Sequence, residues 1–161
     1  MIAVVQRVAE ASVTVNGEVV GSIGHGLLVL LGVARGDSQR DAEWMARKLA
    51  ALRVCADAEG KMNLNVRDVG GGILLISQFT LLGDASRGNR PGFSGAEDPP
   101  AARSLYERVC GLLEESSLPV ARGRFGESMR VALVNDGPVT ILLDSHSASE
   151  RVVESKTGSM S

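Results

Sequence analysis

IAVVQRVAEASVTVNGEVVGSIGHGLLVLLGV, residues 2–33, is the stretch whose reading decides the fold. Apolar and polar residues alternate through 2–8 and 12–15, Asn16-Gly17 follows, and the alternation resumes through 18–23. A period of two lays one face of a strand on a core and the other toward solvent. Asn-Gly tolerates positive φ at both central positions of a type I′ turn, so the stretch predicts an antiparallel meander with a tight hairpin. Beyond Gly24-His25-Gly26, residues 27–33 are almost continuously apolar, which predicts a central strand covered on both faces.

Downstream the period changes. Asp37 or Ser38 can cap a helix running to about Val54, with Ala42, Met45, Leu49 and Leu52 on its apolar face. A second helix is predicted with Asp98 as cap, Pro99 in its first turn, and Leu105, Val109, Leu112 and Leu113 as its stripe. Between the helices lie a strand at 73–82 and a loop at 83–97 rich in Gly, Arg and Asn. Two further strands are predicted at 128–134 and 139–144, joined by a turn at Asn135-Asp136-Gly137-Pro138. Strands lead and helices interrupt, so the expected class is α+β with mostly antiparallel or mixed sheets and two helices. No repeat or linker divides residues 1–144, which read as one domain. The Ser-rich stretch 145–161 has no amphipathic period and is expected to be a disordered tail.

Composition narrows the function. The chain has 161 residues, 44% of them hydrophobic, enough for one packed core. Aromatic residues make up 3%, too few for a platform that stacks many bases. The formal net charge of -2 argues against a long nucleic-acid groove, and no DNA partner is expected, while a pocket for one terminal nucleotide stays compatible. The first eight residues are too short and polar for a signal or membrane segment, which points to the cytoplasm and to no membrane partner. Cys55 and Cys110 form no ligand pair with each other or with histidine, so no metal, disulfide or other cofactor is expected.

Acid–base chemistry is also sparse. Only His25, in a glycine turn, and His146, in the tail, could serve a nucleophile as base, which makes a Ser-His triad a poor reading. Two polar interruptions remain: Ser77-Gln78-Phe79-Thr80-Leu81 and Asn135-Asp136-Gly137-Pro138-Val139-Thr140. A polar group buried without a partner costs about 1 to 3 kcal/mol, so such residues call for a reason. By pattern alone, Ser77, Gln78 and Thr80 satisfying backbone groups at a sheet edge is the plainer reading, and Gly137-Pro138 is the plainer turn.

At these two motifs the chain resembles the D-aminoacyl-tRNA deacylases, with support from Gln6-Arg7-Val8, Ala11-Ser12-Val13 and Lys61-Met62-Asn63-Leu64-Asn65. The similarity runs from Met1 to about Asp144. It implies a barrel-like core and a homodimer that hydrolyses the ester of D-aminoacyl-tRNA and, incidentally, of glycyl-tRNA. It implies a cis Gly137–Pro138 bond that reaches the partner subunit's active site and excludes L-amino acids, supported by Arg7. Phe79 and Thr80 would line the pocket for the terminal adenosine and supply backbone donors, Ser77 and Gln78 would organise it, and Met129 would line the amino-acid side or simply pack. The terminal 2′-hydroxyl of the tRNA would assist, with Thr80 as covalent nucleophile the competing mechanism. The segment Arg87-Gly88-Asn89-Arg90-Pro91 with Phe93 also resembles the family, except that Gly92 stands where serine is expected. Two rivals remain open: a noncatalytic nucleic-acid-binding dimer of this fold, and a general esterase acting through Thr80.

Overall fold

The computed structural model describes residues 1–147. The chain opens with β1 (Ile2–Val15), β2 (Glu18–Ile23) and β3 (Gly26–Gly32), then α1 (Gln39–Ala51) and a small hairpin of β4 (Cys55–Ala56) and β5 (Met62–Leu64). β6 (Gly72–Ser77), a 3-10 turn (Phe79–Leu82), α2 (Pro99–Glu115), β7 (Val120–Arg122) and β8 (Arg130–Asp144) complete it. Asn16 and Gly17 take positive φ, 49° and 77°, as the hairpin requires.

The main sheet is mixed, in the order β2-β1-β3-β6-β7, with β8 antiparallel to β1. β3 and β6 run parallel, and so do β6 and β7. The sheet curls until β2 nearly meets β7: a Cβ placed on Gly21 would sit 2.5 Å from the Arg122 carbonyl oxygen. This near-closure makes the barrel. Its topology explains the apolar run in β3, because successive residues face two different cores. Leu27, Val29, Leu31, Ile73 and Leu75 meet Met45, Leu49, Leu105, Val109 and Leu113 from the two helices. Leu28, Leu74 and Ile76 point the other way, to Val8, Ala11 and Val13 inside the barrel. Each such side chain contributes about 1.5 to 3 kcal/mol on full burial.

Both helix starts follow their sequence signals. Ser38 is the N-cap of α1, and Asp41 accepts its backbone N–H at 2.8 Å; Asp98 caps α2 with Pro99 behind it. Tyr106 of α2 donates its hydroxyl to the Leu75 carbonyl at 2.8 Å, tying helix to sheet. Burial holds the phenol well above its usual range and pushes the Cys110 thiol up to about 11. Both cysteines are free and buried.

Four expectations change. The runs 2–8 and 12–15 are one strand, bridged by the irregular pairing of β1 with β8 around Val8. The strand expected at 73–82 stops at Ser77 and becomes the 3-10 turn, because Gly32 leaves a notch that the turn fills: a Cβ there would meet Leu82 Cδ2 at 2.7 Å and the Gln78 carbonyl oxygen at 3.0 Å. The strands at 128–134 and 139–144 are two halves of β8, which carries residues 135–138 within it and has a cis Gly137–Pro138 bond. Finally, residues 145–147, expected as the start of a disordered tail, are held against the rest of the chain. Ser145 Oγ accepts a hydrogen bond from the Met1 amine at 2.9 Å and donates one to Asp41 at 2.7 Å, while His146 Nε2 lies 2.7 Å from Asp37. The rest of the expected tail, 148–161, lies outside the described residues.

Candidate functional site

The notch at Gly32 positions the site. At the end of β6 the Gln78 N–H still reaches the Leu31 carbonyl at 2.8 Å, after which the chain turns and packs Leu82 over Gly32. The turn thereby drives Phe79, which is 58% exposed, outward. The first bond of the 3-10 turn runs from Leu81 N–H to the Gln78 carbonyl at 3.3 Å. The N–H groups of Phe79 and Thr80 precede that bond and have no intrahelical acceptor.

Beside this corner lies a cleft of about 560 Å³. Ile76, Ser77, Gln78 and Phe79 form one wall, Phe93 and Ala96 a second, and Phe125, Met129 and Val131 a third. The chain has three phenylalanines, and all of them line this cleft. Phe79 and Phe93 meet edge to face with centroids 5.2 Å apart, the arrangement ring quadrupoles favour. Met129 lines the cleft and also packs on the barrel core. Its sulfur accepts the Arg124 N–H at 3.4 Å, while the side chain packs on the Ile76 cluster.

Reactive side chains are scarce here. The ionisable residues on the lining are Arg35, Glu97, Asp98 and Glu127. Glu97 accepts the N–H groups of Asp98 at 2.9 Å and Gly36 at 3.2 Å, and these bonds, Asp98 first, hold its carboxyl below the usual carboxylate range. Such a carboxylate is a weak base. Thr80 is exposed and its hydroxyl accepts a hydrogen bond from Gln78 Nε2, but it has no histidine beside it. His25 bonds the Val69 carbonyl at 2.8 Å and His146 is held at Asp37, so both lie away from the cleft.

The other expected residues form a second group. Arg7 Nε donates to the Asp136 carbonyl at 2.7 Å and Nη1 to the Val54 carbonyl at 2.8 Å, bridging β1, the segment before β4, and β8. Its ion pair with the Asp136 carboxylate is long, 3.9 Å, and exposed, so the backbone bonds are what hold it. Asn135 closes the segment from the other side: its Oδ1 accepts the Val139 N–H at 2.8 Å and its Nδ2 donates to the Val139 carbonyl at 3.1 Å. Gly137 and Pro138 stand exposed at the tip, and neither lines the cleft. One chain thus brings together Ser77, Gln78, Phe79 and Met129, with Thr80 next to them, and keeps Arg7, Gly137 and Pro138 apart.

Several residues were not singled out by sequence. Arg35, Glu97 and Phe125 reach the cleft from distant segments. The signal for Phe125 was present: in a chain with three phenylalanines, each is worth placing. Asp37, Asp41 and His146 come within 4.8 Å of one another, a metal-like grouping, but Asp37 is taken up by the Met1 amine at 2.8 Å and the Ala34 N–H at 2.7 Å.

The family model described as D-Tyr-tRNA(Tyr) deacylase matches residues 4–144. The chain belongs to the D-Tyr-tRNA(Tyr) deacylase family. Its members are hydrolases, as the resemblance implied. A D-aminoacyl-tRNA deacylase of Anaeromyxobacter dehalogenans is 64% identical over 145 residues, 90% of this chain and 97% of the relative. One from Geobacter sulfurreducens is 54% identical over 149 residues, 92% and 98% of the two chains. Among solved structures, the c-Myc DNA Unwinding Element Binding Protein superposes with a TM-score of 0.84 at 43% identity, covering 89% of this chain and 98% of that one. A probable eukaryotic D-amino acid tRNA deacylase shares the fold, with a TM-score of 0.73 at 17% identity over 89% and 98% of the chains. The family's mixed, nearly closed barrel with two helices is the fold seen here. Among the described residues, no helix is long and apolar enough to cross a membrane.

Proposed function

We propose that this deacylase hydrolyses the ester joining a D-amino acid, and incidentally glycine, to the terminal ribose of tRNA, releasing free tRNA and amino acid. The observation that carries the reading is a cleft walled by all three phenylalanines that offers backbone donors and no placed acid–base pair. An aromatic cleft suits the face of one adenine. The ester is already activated, so binding, orientation and a stabilised oxyanion supply much of what the reaction needs.

Water attacks the carbonyl carbon, the bond to the ribose oxygen breaks, and the water's proton ends on that oxygen. The Phe79 and Thr80 N–H groups stabilise the oxyanion, Ser77 and Gln78 brace the corner, and the neighbouring 2′-hydroxyl of the tRNA relays the proton. Chiral selection comes from a homodimer, in which Gly137–Pro138 of one subunit enters the cleft of the other and its carbonyls leave no room for an L side chain. Arg7 and Asn135 fix that segment. Three features support the pairing. The cleft is open on one side, Gly137–Pro138 projects from its own subunit, and Leu133, Val134 and Leu142 of β8 are 37%, 51% and 72% exposed. We assign the activity to the cytoplasm.

A tRNA ending in 2′-deoxyadenosine tests the mechanism. Loss of cleavage by at least about a hundredfold, with Thr80→Ala near wild type, supports the 2′-hydroxyl, since general acid–base assistance is worth about 10²- to 10⁴-fold. The reverse pattern would make Thr80 the nucleophile and restore the general esterase. Sedimentation that finds only monomer would remove the cross-subunit selection. A second reading, a noncatalytic nucleic-acid-binding dimer, draws on the name of the 43% identical structure. Simple binding leaves the braced Gly137–Pro138 tip without a use, and the acidic net charge speaks against DNA.

A further inference from the structure

Between the corner and Phe93 stands a hairpin that hydrolysis leaves without a role. It is closed by paired bonds, Asp84 N–H to the Gly92 carbonyl at 2.8 Å and Gly92 N–H to the Asp84 carbonyl at 2.9 Å. Its one carboxylate, Asp84, turns onto the hairpin and accepts the Ser86 N–H at 2.9 Å. The tip, residues 85–91, then carries two charges, Arg87 and Arg90, both exposed. Among the described residues neither Arg87 nor Arg90 has a carboxylate within 4.0 Å, a condition they share with Arg40, Arg47, Arg53, Arg67, Arg103 and Arg130 but, unlike those, at one hairpin tip. The cleft lining carries Arg35 against Glu97, Asp98 and Glu127, so the two guanidinium groups of the tip form a positive pole next to an acidic cleft.

The feet of the hairpin are fixed. Phe93 packs on Phe79, Arg35 Nε donates to the Ser94 carbonyl at 3.1 Å, and the Arg35 N–H donates to the Gly95 carbonyl at 2.8 Å. The hairpin therefore springs from a wall of the cleft at Phe93, and its fixed feet lower the ordering cost of binding at the tip.

We propose that Arg87 and Arg90 form a docking surface for the backbone phosphates of the tRNA acceptor end, the nucleotides that lead to the adenosine held in the cleft. This rests on the hydrolytic reading above and extends it from the ester to the rest of the substrate. Guanidinium forks match phosphate oxygens bidentately and carry no base information. Such contacts suit an enzyme that must accept tRNAs of many sequences.

The test compares wild type with Arg87→Gln/Arg90→Gln on D-tyrosyl-tRNA and on D-tyrosyl-adenosine, which lacks every upstream phosphate. The variant should raise KM for the tRNA about tenfold and leave the adenosine ester unchanged. Its slope of log(kcat/KM) against log salt should flatten by about 1.4, the value for two single-strand phosphate contacts. Arg87→Lys/Arg90→Lys should recover most of the slope. Equal losses on both esters, or an unaltered slope, would overturn the proposal. Anisotropy of uncharged tRNA, measured on the same proteins, must show the same flattening. If wild type cleaves neither ester, the hydrolytic reading fails, and the anisotropy slopes still decide for or against the hairpin.

Discussion

The corner at Ser77–Leu82 and the segment from Asn135 to Val139 both interrupt apolar strands with polar residues, yet they are held in opposite ways. At the corner, packing over Gly32 sets the backbone, and side chains such as Phe79 become walls of a cleft. At β8 the side chains of Arg7 and Asn135 are used up in holding the backbone, and Gly137 and Pro138 do not line the aromatic cleft of their own subunit. In the proposed function the main chain of both places meets the substrate, joined at the corner by the Phe79 ring. On that proposal the corner binds and polarises the ester, and the tip is a gauge that needs another copy of the corner to measure against.

The largest expected effects separate these two roles. A Cβ on Gly137 would lie 2.5 Å from the Val139 nitrogen and 2.7 Å from its Cγ2, so Gly137→Ala must displace the tip. Displacement of about 1 Å costs on the order of a hundredfold at a reacting centre. Here it should appear as a fall of that size in the ratio of D- to L-tyrosyl-tRNA cleavage. Gly32→Ala should push the corner out of its notch and lower kcat on D-tyrosyl-tRNA by a similar factor with the D/L ratio unchanged. Identical signatures from the two variants would break the comparison.

Smaller effects sharpen it. Arg7→Ala leaves two carbonyls without their charged donor, a loss of about 1.5 to 3 kcal/mol for hydrogen bonds to a charged group. A ten- to hundredfold fall in discrimination follows, measured in the same assay. Asn135→Ala removes three neutral bonds and should cost about tenfold, with Asn135→Asp recovering part through the retained acceptor for the Val139 N–H. Thr80→Ala should change kcat least, by less than about tenfold, because a hydroxyl without a base is a weak nucleophile.

The frame of the molecule was legible because its signals are local. Asn16-Gly17, the apolar run of β3, Ser38 and Asp98 each specify a turn, strand or cap from a few neighbours. The corner was not, since Phe79, Leu81 and Leu82 continue an apolar pattern that only a glycine on another strand interrupts. β7 has three residues, too few for a period to show. Ser145 and His146 read as tail because their partners lie 104 and 109 residues away. Of the site, the two motifs were recognisable by resemblance, whereas the third phenylalanine and Arg35 join the cleft only once the sheet has curled.

The most direct test of the account is hydrolysis of matched D- and L-tyrosyl-tRNA by the purified protein. Rapid release of D-tyrosine, with L-tyrosyl-tRNA left intact over the same time, is the predicted result. Equal cleavage of both would contradict the role given to Gly137–Pro138, and cleavage of neither would contradict hydrolysis itself.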